Sequence, residues 1–481
     1  MQIANGAPGD AHVVHADSGL YIWLICLIAA LGGLLFGYDW VVIGGAKLFY
    51  ETYFGIHDPA MSGWLMSAAL VGCIAGAALA GMLADRFGRR AILIVSAALF
   101  LVCAFGTAWA NGTGIFAMFR IIGGLGIGLA SSISPLYIAE VSPAAHRGRF
   151  VAINQFTIVV GVLLAQSVNL WIARPVPPGL DAHALLQSWN VQHGWRWMFL
   201  SGGVPALLFF VLAMVIPESP RWLSRRGRHD VAERVLTKIG GDAYARASLA
   251  AIRTVQNSNA GVGATWRDLL GRRVRPVVVI GVTLAVFQQW CGINVIFNYA
   301  QDIFASAGFD INEGLRSIVA TGSVNLLFTL LALTLVDRLG RRKLMLIGAG
   351  GLFVVYLLIG GAYALHLLGL PVLLLVLAAI AIYATTLAPV TWVLLSEIFP
   401  DRIRAQAVAM SVFWLWTACF VLTYTFPWLN THLGPAGSFW LYGLICGAGF
   451  LFVLRRVPET AGVPLEVLEA RLESRANSRR D

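Results

Sequence analysis

Apolar runs of about twenty residues recur along the chain, separated by short polar breaks. A membrane-spanning helix needs about 20 mostly apolar residues, so each run is long enough to cross a bilayer. Twelve spans are predicted, at 20–48, 61–84, 91–110, 114–139, 150–172, 197–216, 276–300, 317–336, 344–366, 369–396, 405–429 and 438–455. They fall into two groups of six. The runs are continuously apolar, whereas an outer-membrane strand alternates apolar and polar over about 10 residues, which favours helices over barrel strands. The expected fold class is an all-α membrane protein with twelve transmembrane helices in two six-helix halves.

Composition agrees. With 58% hydrophobic and 12% charged residues and a mean hydropathy of +0.76, the 481 residues carry more apolar surface than one soluble core could hide. The segment before the first span has no basic n-region, and 20–48 is too long for a signal-peptide core, so the first helix is expected to stay in the mature protein. The six cysteines, Cys26, Cys73, Cys103, Cys291, Cys419 and Cys446, fall inside predicted spans without paired or metal-ligand spacing. They read as packing residues, and neither metal nor cofactor is expected.

The net charge of +10 would suit a nucleic-acid partner in a soluble protein. Here the basic residues lie in loops and report topology instead, so no nucleic-acid partner is expected. Arg86, Arg89 and Arg90 follow span two, Arg147 and Arg149 follow span four, a dozen Arg and Lys lie between Glu218 and Arg275, and Arg338, Arg341, Arg342 and Lys343 follow span eight. The alternate loops at 50–60 and 366–371 carry no Lys or Arg, with Lys47, Arg174, Arg196 and Arg316 as scattered exceptions. The expected location is the cytoplasmic (inner) membrane, multi-pass, with both termini cytoplasmic.

Residues 85–90 read DRFGRR and 337–342 read DRLGRR, each after the second span of its half. The repeat makes the halves pseudo-symmetric. In transporters built from related halves, the substrate lies between them near the bilayer midplane and the halves rock around it. The expected division is a tail at 1–19, an N-terminal half at 20–216, a cytoplasmic helical linker domain at 217–275, a C-terminal half at 276–457 and a tail at 458–481. Within the linker, helical spacing at 230–239 and 243–255 predicts amphipathic helices, and another is expected at 465–472.

Two charges sit at membrane depth, Asp39 in span one and Arg120 in span four. Each costs roughly 2.5 to 3.5 kcal/mol at a helix centre and needs a partner or a function. The pair reads either as a structural ion pair or as a proton switch. An aspartate beside an arginine holds its charge, whereas burial favours the neutral acid, so changing water access would load and unload a proton. Gly123, Gly124, Gly126 and Gly128 beyond Arg120 permit close backbone approach.

Uncharged amides and an aromatic ring also occur at membrane depth: Gln155, Gln288, Gln289, Asn294, Asn325 and Trp392. Sugar hydroxyls both donate and accept, and sugar rings have apolar faces, which suits such a set. The alternative is that the amides only bridge helices. On a straight helix Gln288 and Asn294 are about 240° apart, but Gly292 between them can break the helix and turn Asn294 inward.

Together these segments resemble the sugar porter family of the major facilitator superfamily, which includes bacterial proton-linked xylose/glucose symporters and the facilitative glucose transporters. The resemblance runs through GGLLFGYD (32–39), DRFGRR, PLYIAE (135–140), PESPRWL (217–223), QQWCGIN (288–294), DRLGRR, WVLLSEIFP (392–400) and PET (458–460). It implies a monosaccharide carrier working by alternating access, with the six residues above contacting sugar and Phe36 and Trp416 as aromatic walls. It also bears on coupling, since proton-linked members carry Asp in the first-helix motif and facilitative ones carry Asn. Asp39 thus points to symport, with Arg120 as its partner.

The chain departs from the pattern at Leu415 and Cys419, where relatives offer amides, at Asn298, where they usually have Tyr, and at Ala388 and Ala405, where Gly is usual. These positions leave sugar identity open.

Charges at the cytoplasmic helix ends, Arg89, Glu140, Arg147, Arg341, Glu397 and Arg404, are expected to form an intracellular gate that locks one state, joined by Glu218 and Arg221. Solvated loop charges are the plainer reading.

The expected partners are a monosaccharide such as glucose or xylose, protons and the lipid bilayer, with the protein acting as a monomer. The competing readings are a proton-independent facilitator, a polyol transporter, a sugar sensor, which would need a signalling appendage, and an intramembrane enzyme. The last requires a convergent catalytic cluster that Asp39 alone does not make.

Overall fold

The computed structural model describes residues 19–143, 146–177, 179, 181–258, 268–271, 274–400 and 403–459. The helix expected at 465–472 lies outside them. Among the described residues every regular element is helical. The N-terminal half contains α1 (Gly19–Phe54), α2 (Pro59–Phe87), α3 (Arg89–Ala108), α4 (Thr113–Val141), α5 (Arg147–Ile172), α6 (Ala182–Leu186), a π-helical turn at Asn190–Gly194, α7 (Trp195–Ser201) and α8 (Gly203–Ala213). Two helices follow, α9 (Pro220–Arg225) and α10 (His229–Ser258). The C-terminal half contains α11 (Arg275–Trp290), α12 (Ile293–Asn298), α13 (Ala300–Ser306), α14 (Ile311–Leu339), α15 (Arg341–Ala364), α16 (Leu370–Thr385), α17 (Leu387–Glu397) and α18 (Arg404–Arg456).

Eleven helical segments are long and apolar enough to cross a membrane, rather than the twelve expected. The difference lies in α18, which runs for 53 residues through a non-helical Gly434 (φ 68°). Cys419 and Cys446 of this element would be about 40 Å apart on one straight helix. Yet Cys419 contacts Asn294 and Cys446 contacts the Cys291 carbonyl. The chain therefore reverses at Gly434, and α18 is a hairpin of two arms. α10 bends similarly at Gly240–Gly241, between the two helical stretches read in the sequence. The outer surface is apolar, with Trp171 85%, Val204 75% and Leu444 64% exposed, as suits lipid rather than water. All six cysteines are free and buried.

Repeat chemistry ends two equivalent helices. Gly88 (φ 97°) and Gly340 (φ 84°) occupy the same place in DRFGRR and DRLGRR and turn the chain from α2 into α3 and from α14 into α15. An L-residue is strained at those angles.

The closest helix packing surrounds Arg120. Gly72 and Gly76 of α2 meet Gly124 and Gly128 of α4, each pair spaced by four. A Cβ on Gly124 would overlap the Ala69 carbonyl, and one on Gly72 the Ile121 carbonyl. Small residues at this spacing bring backbones together where lipid gives no hydrophobic drive between helices. Gly124→Val should cost at least about 1–3 kcal/mol through overpacking. Gly114→Ala on the same helix, with open space around it, should be neutral. Thermal unfolding in detergent checks this, and equal midpoints for the two variants would refute the packing argument.

Candidate functional site

Both membrane charges find each other. Arg120 is 1% exposed. Its Nη1 donates to Asp39 Oδ1 at 2.8 Å, and its Nη2 donates to the Asp39 carbonyl at 3.1 Å. The Phe199 ring lies 5.6 Å from the guanidinium, and the Cys103 thiol donates to Asp39 Oδ1 at 3.7 Å. Asp39 Oδ2 accepts nothing. A small recess beside the carboxylate is lined by Leu35, Tyr38, Val42, Phe100, Phe199 and Gly202. Leu35, Tyr38, Asp39 and Val42 follow helical spacing, so they form one face of α1.

Another face of α1 carries aromatic rings. Phe36 and Trp40, four residues apart, both approach Trp416 of α18, at 5.8 and 5.9 Å between ring centres. The Trp416 indole N–H is buried without a partner. Phe36 and Trp416 were expected walls. Trp40 was missed, although its one-turn spacing from Phe36 was readable.

The amides of the C-terminal half form a chain. Gly292 (φ 85°) separates α11 from α12, as its position predicted, and this brings Asn294 to Gln289. The Gln288 amide donates to Tyr383 Oη at 2.5 Å, Gln289 donates to Gln288 Oε1 at 2.6 Å, and Asn294 donates to Gln289 Oε1 and Cys419 Sγ. Tyr383 was not foreseen, because only tertiary packing brings α16 to α11.

On α5, Gln166 donates to Thr321 Oγ1 of α14 at 3.3 Å. Gln155 lies eleven residues earlier, about 20° away around the helix, and so faces the C-terminal half. Asn325, 8% exposed, lies one turn beyond Thr321. Trp392 is the outlier. It lies on α17, 42% exposed, after a backbone break at Thr386 (φ −121°, ψ −83°).

The two ends of the bundle differ. At the end carrying the repeated basic loops, each half holds its own clamp. Arg89 Nε lies 3.0 Å from Glu140, and Glu218 accepts the backbone N–H groups of Arg89 and Arg90. In the C-terminal half, Arg341 Nη2 lies 3.1 Å from Glu397, and Glu459 accepts the N–H groups of Arg341 and Arg342. The Arg90 and Arg342 guanidinium groups reach the Met214 and Leu454 carbonyls. Neither the Arg89–Glu140 pair nor the Arg341–Glu397 pair joins one half to the other.

Ser219 Oγ also donates to Glu140. Burial pushes the Glu218 carboxyl above its ordinary range, partly offset by the N–H groups of Ser219, Arg90 and Arg89. Arg221 is pushed down by burial and by Arg147 nearby. Arg404 donates to the Phe399 carbonyl at 3.2 Å. Glu459 was overlooked, although Pro458-Glu459 repeats Pro217-Glu218.

At the far end the halves touch. A Cβ on Gly44 of α1 would meet the Phe297 and Asn298 carbonyls. Val176 and Asn312 exchange two hydrogen bonds at 3.0 and 2.8 Å. At Gly44 the halves meet backbone to backbone. Among the described residues no group of three or more His, Cys, Asp or Glu is placed to hold a metal.

The family model for sugar (and other) transporters matches residues 25–472. The D-xylose-proton symporter of Escherichia coli (strain K12) is 41% identical, covering 94% of this chain and 95% of the relative. The arabinose-proton symporter of Bacillus subtilis (strain 168) is 36% identical over 95% and 96%. Among solved structures, the inward open conformation of the xylose transporter XylE from E. coli superposes with a TM-score of 0.82 at 38% identity, covering 94% of this chain and 100% of that one. With that match running through both halves and their clamps, the chain belongs to the sugar (and other) transporter family.

Proposed function

We propose that the protein imports a monosaccharide with a proton by alternating access. The observation that carries this reading is the buried Asp39–Arg120 pair on the same helix as the aromatic wall. A sugar held against Phe36, Trp40 and Trp416 bears on one face of α1, and the titratable carboxylate occupies another. A shift of α1 on sugar binding therefore changes the surroundings of Asp39. Two relatives support the class, the D-xylose-proton symporter of E. coli and the arabinose-proton symporter of B. subtilis.

On this reading the sugar contacts are Phe36, Gln155, Gln288, Gln289, Asn294, Asn325, Trp392 and Trp416. The division of the chain is that given by the sequence. The basic loops place the clamped end and both termini on the cytoplasmic side of the inner membrane. The protein works as a monomer and carries its substrate unchanged, without enzymatic chemistry.

Gln155→Ala and Gln289→Ala should each weaken equilibrium sugar binding by about 1–3 kcal/mol, the cost of a hydroxyl left unpaired in a dry pocket. Calorimetry on purified protein measures it, and affinities within twofold of wild type would reject the pocket. Glu397→Gln and Arg404→Ala should impair net transport more than binding, because they act on the balance of states, and normal transport by both would reduce the clamps to topology determinants. Asp39→Asn should abolish pH-driven accumulation in proteoliposomes while labelled sugar still equilibrates. Arg120→Ala, which strands a buried carboxylate, should be nearly inactive in net uptake. Undiminished accumulation by Asp39→Asn would point to a facilitator or to another proton site.

A further inference from the structure

Lys47 is one of the basic residues that the loop rule leaves unexplained. It stands about two turns beyond Asp39 on α1 and is 7% exposed. Its ammonium donates to Glu51 Oε2 at 2.8 Å on its own helix. It also lies 3.0 Å from Asp302 Oδ2 on α13, and the Tyr299 ring is 5.6 Å away. Glu51 is tied to the N-terminal half a second time, because Ser62 Oγ of α2 donates to its Oε1 at 2.5 Å. Asp302 and Tyr299 belong to the other half. The ion pair thus crosses the seam at which Gly44 and Val176 also meet the other half.

We infer that Lys47, Glu51 and Asp302 form a far-end gate in which both carboxylates share the ammonium when the end is closed and Glu51 alone keeps it when the end opens. Parting an ammonium from its only countercharge in an apolar bundle leaves a buried unpaired charge, a heavily penalised state. A single cross-seam pair would therefore lock the end shut. Glu51 avoids this, because it travels with Lys47 on α1 and is pinned by Ser62. Asp302, whose side chain is 37% exposed, meets water on release. The Lys47–Asp302 contact is lost on opening, so Asp302 biases the equilibrium directly, and Glu51 biases it by remaining as the countercharge of Lys47 in the open state. The two carboxylates then act in opposite directions. Asp302 stabilises the closed end, and Glu51 stabilises the open one.

The gate rests on the alternation proposed above, but its test needs neither sugar nor a proton gradient, so its failure would leave the sugar reading untouched. Val176, 7% exposed in the seam, is changed to cysteine in full-length protein whose six native cysteines are alanine. The rate of modification by a small hydrophilic thiol reagent then reports the open fraction. Asp302→Asn should raise that rate on the order of tenfold, and Glu51→Gln should lower it by a similar factor. Ser62→Ala, which only loosens Glu51, should lower it less and serves if Glu51→Gln does not yield monodisperse protein. Thermal unfolding of each variant runs alongside. If Asp302→Asn and Glu51→Gln move the rate in the same direction, or neither moves it, the triad is a structural tie and the gate is wrong.

Discussion

A charge inside an apolar bundle must be neutralised where it stands, and Arg120 shows how much of the fold follows from that. The guanidinium is buried in the first third of α4, held by the Asp39 carboxylate and by the carbonyl of the same residue. To deliver both acceptors, α1 must pass close to α4. α4 in turn is seated against α2 by glycines on both helices. α1 thereby becomes the helix on which the separate chemistries meet. Asp39 looks into its own half, Phe36 and Trp40 look toward Trp416 of the other half, and Lys47 reaches across the far seam.

The duplicated clamps show how each half stays rigid while the halves move. After Gly88 and Gly340 a helix begins, and its first backbone N–H groups lack partners within the helix. Glu218 and Glu459 supply carboxylates at those two starts, where the helix dipole also favours negative charge. Each carboxylate comes from the segment that directly follows its half. Arg89 and Arg341 then turn to Glu140 and Glu397, which ties the end of a third helix into each clamp. These interactions are internal to the halves and can persist as the halves part. At the far end contacts run between the halves, from Gly44 to Phe297 and from Val176 to Asn312.

The chain alone determined the helical class and the two halves, because lipid demands continuous apolar helices and leaves little else possible, although α1 runs six residues past its expected end and two expected spans fall in α18. The same demand exposed Asp39 and Arg120 as charges needing a reason, and the glycine at 292 foretold the broken helix. The sequence also held the signals for Trp40 and Glu459, in a one-turn spacing and a repeated Pro-Glu. Only the tertiary structure decided which partners those residues take. Tyr383 meets Gln288, Lys47 meets Asp302, and Arg89 turns to its own half, because such contacts join helices far apart in the chain and depend on how the helices cross and rotate. Hydropathy records only how deep a residue sits. The direction in which its side chain points around the helix, and so its partner, is settled by packing.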